Sequence, residues 1–246
     1  MFSIKIGDVG SPHVFFGHGW GRDHSDFIPV AEAISPFARS ILLDLPGFGL
    51  SERPEASWGT IEYADYIRQA IANEYGVDHY IWVGHSFGGR IGLRLAAQGD
   101  HKPSKLLIVA GAGLKKSRST TERLRSAVRS QRFKFAKRSA KTETEIVKLE
   151  ESFGSSDYVQ SRGLGLRDIF VKTVTEDQAE SVSRIGCPTT LIYGGRDQET
   201  PPEIGERLHS TIPNSELIIC PEFGHIELLD RGRHQIALKI KQWLAT

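Results

Sequence analysis

The chain has 246 residues, enough for one large α/β domain or two small ones. Hydrophobic residues make up 39% and charged residues 25%, and the net charge of +1 argues against a general nucleic-acid binder. No apolar stretch approaches the roughly 20 residues needed to span a bilayer, and the N-terminal segment lacks the features of a secretory signal, so a cytoplasmic protein without a membrane segment is expected.

SIKI (3–6) and HVFFG (13–17) read as strands, with Gly7, Asp8, Gly10 and Pro12 as turn signals between them. FIPVAEAI (27–34) has helical character, and SILLDL forms a strand stopped by Pro46 and Gly47. Over 61–76 the residues Ile61, Ala64, Ile67, Ala70, Ile71 and Tyr75 make one helical stripe that ends at Gly76. HYIWVG (79–84) is too short for a helix and suits a buried parallel strand. RIGLRLAAQ (90–98) is helical again, and KLLIVAGAG (105–113) is the next strand.

The segment 114–183 breaks this alternation: it is charged, serine-rich and helical in spacing, with Leu124, Val128 and Phe135 on one face and Ala127 alongside. The rhythm resumes with TTLIYGG (189–195), a helix around 203–208, the strand ELIICP (216–221) and a closing helix over 231–244. The expected class is therefore α/β, a mostly parallel central sheet flanked by helices, with a core of 1–113 and 184–246 and an insertion at 114–183. Cys187 and Cys220 sit beside Pro188 and Pro221 without metal-ligand spacing, and are expected to be buried free thiols.

The stretch VGHSFGG (83–89) carries G-x-S-x-G between an expected strand and an expected helix. Glycines two before and two after Ser86 let the chain turn sharply, and the helix N-terminus favours negative charge developing at the hydroxyl. A serine hydroxyl needs a base to take its proton and an acid to orient that base. Asp197 follows LIYGGR at one strand end, and His225 follows ELIICPEFG at the next. Singly, Asp197 is an ordinary turn residue and His225 an ordinary surface or helix-capping histidine. In the order Ser86, Asp197, His225, at three strand ends, they point to a nucleophile, acid and base. HGWG (18–21) follows the HVFFG strand, where it either simply ends that strand or adds the Trp20 amide to that of Phe87 as an oxyanion hole.

HGWG, DLPGFGLS (44–51), GHSFGG, GGRD (194–197) and FGH (223–225) together resemble the α/β-hydrolase superfamily over essentially the whole chain. The resemblance implies that fold, the triad Ser86, Asp197 and His225, an oxyanion hole from Trp20 and Phe87, and a helical cap over 114–183 inserted after the family's sixth strand. About a dozen residues precede the HGWG strand, so the family's first antiparallel strand is expected to be absent or minimal. Serine as nucleophile disfavours the aspartate-dependent haloalkane dehalogenases and epoxide hydrolases, and no HGGG motif is present. A serine carboxylesterase needing no cofactor and no metal is the expectation, with thioesters and C–C bonds as related substrates.

Charge is unevenly spread. Between Lys115 and Lys141 there are 11 basic residues and one acid, Glu122, giving +10, so the rest of the chain carries −9. Such a run is either a solvated helical surface or a landing patch for an anionic partner. HGWG with a basic cap resembles the pimeloyl-acyl-carrier-protein methyl ester esterases, which implies, as an alternative, an esterase or thioesterase whose acyl group rides on an acidic carrier docked at Arg125, Arg129 and Arg132. A ligand receptor of hydrolase fold with incidental turnover is a further alternative. Phe133 and Phe135 within the basic run are read as core-facing, so no nucleic-acid partner is expected. Trp20, Phe153 and Tyr158 are expected as walls of an apolar substrate pocket, although Phe153 and Tyr158 would serve equally well as cap core.

Overall fold

Seven strands form one sheet in the order β1-β3-β2-β4-β5-β6-β7. They are β1 (Ser3–Ile6), β2 (His13–Gly17), β3 (Arg39–Leu43), β4 (Tyr80–His85), β5 (Lys105–Val109), β6 (Thr189–Gly194) and β7 (Ser215–Cys220). The computed structural model describes residues 1–115, 120–140 and 142–245, apart from the side chains at positions 122 and 123. All neighbouring pairs are parallel except β1 with β3, so the single antiparallel strand is a four-residue edge.

The central strands read as unbroken apolar runs because both of their faces are covered. Tyr80 and Trp82 of β4 enter one core while Ile81 and Val83 enter the other, and Leu106 and Leu107 of β5 divide in the same way. One face is covered by α2 (Thr60–Ala70), α3 (Phe87–Ala97) and α9 (Pro202–Thr211), the other by α1 (Ile28–Ile34) and α11 (Arg233–Leu244). Within α2, Tyr63, Ala64 and Ile67 are buried, whereas Ile61, expected on the same stripe as Ala64 and Ile67, is exposed. Beyond Ala70 the chain widens into a π turn over Ile71–Tyr75 and stops at Gly76 in the left-handed conformation. Both cysteines are free but only partly buried, because each lies at the rim of the sheet.

Between β5 and β6 lie α4 (Thr120–Ser139), α5 (Glu143–Phe153), α6 (Ser156–Gly163), α7 (Arg167–Thr175) and α8 (Ala179–Val182). Leu166, Ile169 and Phe170 sink into the same core as α2 and α3 and fasten this helical segment to the sheet. The stripe Leu124, Val128 and Phe135 of α4 does not pack inward: the three side chains are 67%, 51% and 75% exposed. Phe135 is therefore not core-facing, while Phe133, on another face of α4, stacks on Phe153 at 5.5 Å. Lys116, Arg118 and Lys141 of the basic run lie outside the described residues.

The helical segment closes around a carboxylate. Glu150 of α5 is buried and accepts from Lys137 of α4 (2.7 Å), from Arg162 of α6 (2.7 and 2.9 Å) and from Arg167 (2.8 Å). The Arg162 hydrogen bonds, helped by Lys137 and Arg167, outweigh desolvation and hold its carboxyl down at about 2. Because the folded value is depressed, the stabilisation is present above the ordinary glutamate range and is lost as pH falls through it towards the folded value. Glu150→Gln leaves three cations facing one another and is expected to lower stability by about 3 kcal/mol at pH 7. In urea unfolding the gap between parent and variant should shrink steadily between pH 5 and pH 2.5; a gap that does not change with pH would show that the carboxylate charge contributes nothing.

Candidate active site

The β4-to-α3 connection is a sharp elbow. Ser86 sits there with φ 48° and ψ −103°, a strained backbone for a residue with a side chain. Its peptide is held on both sides: Ser86 N–H donates to Val109 O (3.0 Å), and Ser86 O accepts from Arg90 N (3.0 Å) and Ala112 N (3.3 Å). Glycine is required beside it. A Cβ on Gly84 would lie 2.3 Å from Gly88 O, and one on Gly88 would lie 2.0 Å from Gly17 O. Both obstacles are backbone, which cannot move aside.

The same contact brings the HGWG loop to the elbow, since Gly88 N–H donates to His18 O (2.9 Å). His18 is fully buried; its Nδ1–H donates to Gly19 O (2.7 Å) and its Nε2 accepts from Leu45 N–H (3.0 Å), so it ties this loop to the DLPGFG loop. The Phe87 N–H, at the first position of α3, has no intrahelical acceptor, and neither it nor the Trp20 N–H finds a backbone acceptor among the described residues. Two free amides at the edge of one cavity are what an oxyanion requires.

Asp197 and His225 meet at the ends of β6 and β7. His225 Nδ1 lies 2.7 Å from Asp197 Oδ2, and Asp197 Oδ1 accepts from the amides of Glu199 and Thr200, each at 2.8 Å. Burial alone would raise the Asp197 carboxyl, but the bonds from His225 and Thr200 prevail and hold it below the usual range, as an anion. Ser86 and His225 border one cavity of about 180 Å³ with Gly19 and Trp20; no hydrogen bond joins the hydroxyl to the imidazole in this structure. The open side of Ser86 leads into a larger cavity of about 1140 Å³ under the helical segment, where Trp20, Phe153, Tyr158 and Phe170 form apolar walls. Trp20 packs edge-on against Phe48, Phe87 and Phe170.

A family model described as "alpha/beta hydrolase fold" matches residues 12–142, more than half of the chain. The chain belongs to this family. An uncharacterized hydrolase, YugF, of Bacillus subtilis is 28% identical over 85% of this chain and 81% of its own. A pimeloyl-[acyl-carrier protein] methyl ester esterase of Aliivibrio salmonicida is 23% identical over 87% of this chain and 85% of its own. An esterase of Exiguobacterium antarcticum shares the fold, with a TM-score of 0.75 at 20% identity, covering 100% of this chain and 95% of that one. No helix among the described residues is long and apolar enough to cross a membrane.

Within this hydrolase-fold site, three residues escape a reading of motifs. Thr200 contacts Asp197 Oδ2 (2.8 Å), Ala110 O (2.9 Å) and His225 Nδ1 (3.2 Å), bracing the acid and the imidazole together. His85 is fully buried, sits against the His225 ring at 4.7 Å, and donates from Nε2 to His225 O (3.2 Å). Glu199 places a carboxylate oxygen 3.5 Å from His225 Nε2. Of these, His85 had a signal, its place at the end of the strand just before Ser86, whereas Thr200 and Glu199 lie in a loop whose course the sequence leaves open. Asp23, His24 and Asp44 also cluster, but Asp44 already accepts from His24 N and Nδ1 and from Leu50 N, so loop folding accounts for it.

Burial pushes the pKa of His18 down, and burial together with His225 pushes that of His85 well down, so both are neutral when folded. The unfolded chain takes up two protons below the ordinary histidine range that the folded chain refuses, so stability falls as pH drops from there. The slope is at most about 1.4 kcal/mol per pH unit for each imidazole. A His18→Gln, His85→Gln variant should show a flatter decline of urea midpoint between pH 7 and pH 5 than the parent, and an unchanged slope would refute the assignment of both as buried neutral groups.

Proposed function

We propose that the chain is a serine esterase whose catalytic centre is Ser86, His225 and Asp197. The observation that carries this is the strained Ser86 elbow opening into the same cavity as an imidazole whose far nitrogen is bonded to a buried carboxylate. In this reading His225 Nε2 takes the Ser86 proton as the hydroxyl attacks the ester carbonyl, Asp197 holds the imidazole and offsets its positive charge, and the Trp20 and Phe87 amides hold the oxyanion. Collapse of the tetrahedral adduct returns the proton to the departing alcohol, and water with His225 as base then cleaves the acyl-enzyme. The large cavity holds the acyl chain, and 114–183 acts as the cap over a core of 1–113 and 184–246. The test is a panel of esters of graded acyl length, with Ser86→Ala as control. Hydrolysis should fall by about a thousandfold or more in the variant, and a fluorophosphonate should label the parent alone. Folded parent protein that neither cleaves any ester through Ser86 nor takes the label would overturn the proposal, and a Ser86→Ala protein that keeps its biological role would favour a ligand receptor.

A second reading, an acyl group delivered on an acidic carrier protein, is favoured by one surface feature. Arg125, Arg129 and Arg132 line a groove on α4 with the exposed Leu124 and Val128, and Phe153 borders both that groove and the large cavity. Arg129 also donates to Phe153 O (3.1 Å), so the groove and the cavity wall share a backbone segment. A cationic groove with apolar floor suits an acidic amphipathic helix. Reversing Arg125 and Arg132 to glutamate should cut kcat/KM on a carrier-linked ester about tenfold or more while sparing the same acyl group as a small methyl ester. Equal effects on both substrates would remove the reading.

A further inference from the structure

The small cavity on the His225 side of Ser86 has a chemistry that the serine mechanism alone does not require. His225 borders this cavity and not the large one, so on the serine-esterase reading the departing alcohol lies on this side while the acyl chain lies in the large cavity. Its walls are rich in acceptors. Glu199 brings its carboxylate 3.5 Å from His225 Nε2, and Asp157, at the start of α6, adds a second carboxylate with no ion pair or hydrogen bond among the described residues. Burial, together with the Glu199 charge, pushes the Asp157 carboxyl above the usual range, and the nearby His225 offsets this only in part.

A third acceptor is independent of these acids. His85 spends its Nε2–H on His225 O, which leaves Nδ1 as a lone pair; that atom is buried, lacks a partner among the described residues and sits against Gly19 on the cavity wall. Arg22, which also borders the cavity, gives Nε and Nη2 to the two oxygens of Asp26, so its charge is largely offset by that carboxylate. Gln160 directs its amide to Gly21 O (3.5 Å).

We infer that Glu199, Asp157 and His85 Nδ1 form a leaving-group subsite for a short alcohol bearing a protonated amine, and that they set the enzyme against anionic alcohols, an inference that rests on the serine-esterase reading above. In the reaction the Ser86 Oγ–acyl bond forms as the acyl C–O bond to the amino alcohol breaks, and the proton taken from Ser86 passes from His225 Nε2 to that oxygen. The ammonium keeps its own proton throughout, donating it to the acceptors of the cavity wall.

Three butyrate esters test this at pH 7: 2-(dimethylamino)ethyl, its neutral isostere 3-methylbutyl, and carboxymethyl. The parent should prefer the amine over the isostere by about tenfold in kcat/KM and disfavour the carboxymethyl ester by a similar factor. In Glu199→Gln, Asp157→Asn protein both ratios should collapse towards one, and 0.5 M salt should shrink them in the parent. Ratios are the readout because a general disturbance of His225 scales all three esters alike. Ser86-dependent cleavage with ratios near one, or with ratios that the double variant leaves unchanged, would overturn the subsite and leave the esterase reading standing. Absence of Ser86-dependent cleavage of all three esters, together with a failed ester panel, would overturn both.

Discussion

Backbone pressed on backbone at the elbow is the constraint on which the rest of the site depends. Gly88 of α3 sits so close to Gly17 at the end of β2 that no side chain fits between them, and Gly84 is equally close to Gly88. That proximity fixes where the helix begins and therefore where the Phe87 amide points. It also draws the HGWG loop in through the Gly88 N–H to His18 O bond, so the Trp20 amide comes to the same edge. The Trp82 indole completes the arrangement by donating to Gly88 O (3.1 Å) from beneath. The left-handed backbone of Ser86 is the strain that this packing imposes, and three backbone hydrogen bonds at that one residue sustain it.

Around the elbow the sheet edge is polar yet buried, and most of its polar atoms have found partners. His18, Asp44, Asp197 and Thr200 each satisfy two or more bonds within loops that leave the ends of β2, β3 and β6. Two of the exceptions belong to residues that border the cavities: Trp20 Nε1 and His85 Nδ1 are buried without partners among the described residues. A buried polar atom left without a partner costs about 1–3 kcal/mol, and a site that binds polar groups is where such a cost has a use.

The sheet was legible from the sequence because each parallel strand is covered on both faces, and short apolar runs bounded by Gly and Pro have few other uses in a chain of this size. The meeting of Asp197 with His225 followed from the same logic, since consecutive parallel strands place their ends side by side. Side chains set by loop geometry were not legible: Thr200 and Glu199 owe their positions to a turn wrapped around the Asp197 carboxylate, which periodicity does not encode. Phe135, expected to face the core, is exposed for a physical reason. Leu124, Val128 and Phe135 do form a stripe, but an apolar stripe states only that a face is sticky, and this helix turns another face, with Phe133, towards Phe153 and Tyr158.

The helical segment is anchored to the very helix that carries the elbow. Arg90 and Arg94 project from α3 beneath it, Arg90 donating to Thr173 O (2.7 Å) and Arg94 to Thr60 (3.1 Å) and Ser181 (3.2 Å), while Gln178 donates back to Arg90 O (3.0 Å). These buried bonds fix the roots of the segment at α7 and α8, whereas α4 to α6 project beyond them around the Glu150 cluster. On the proposed assignment, the atoms that make and break bonds belong to the sheet edge, while Phe153 and Tyr158, which border the large cavity, and Asp157, which borders both cavities, belong to the projecting part. Substitutions there reshape both the acyl and the alcohol side without touching the elbow packing, so selectivity and chemistry can change separately in this fold.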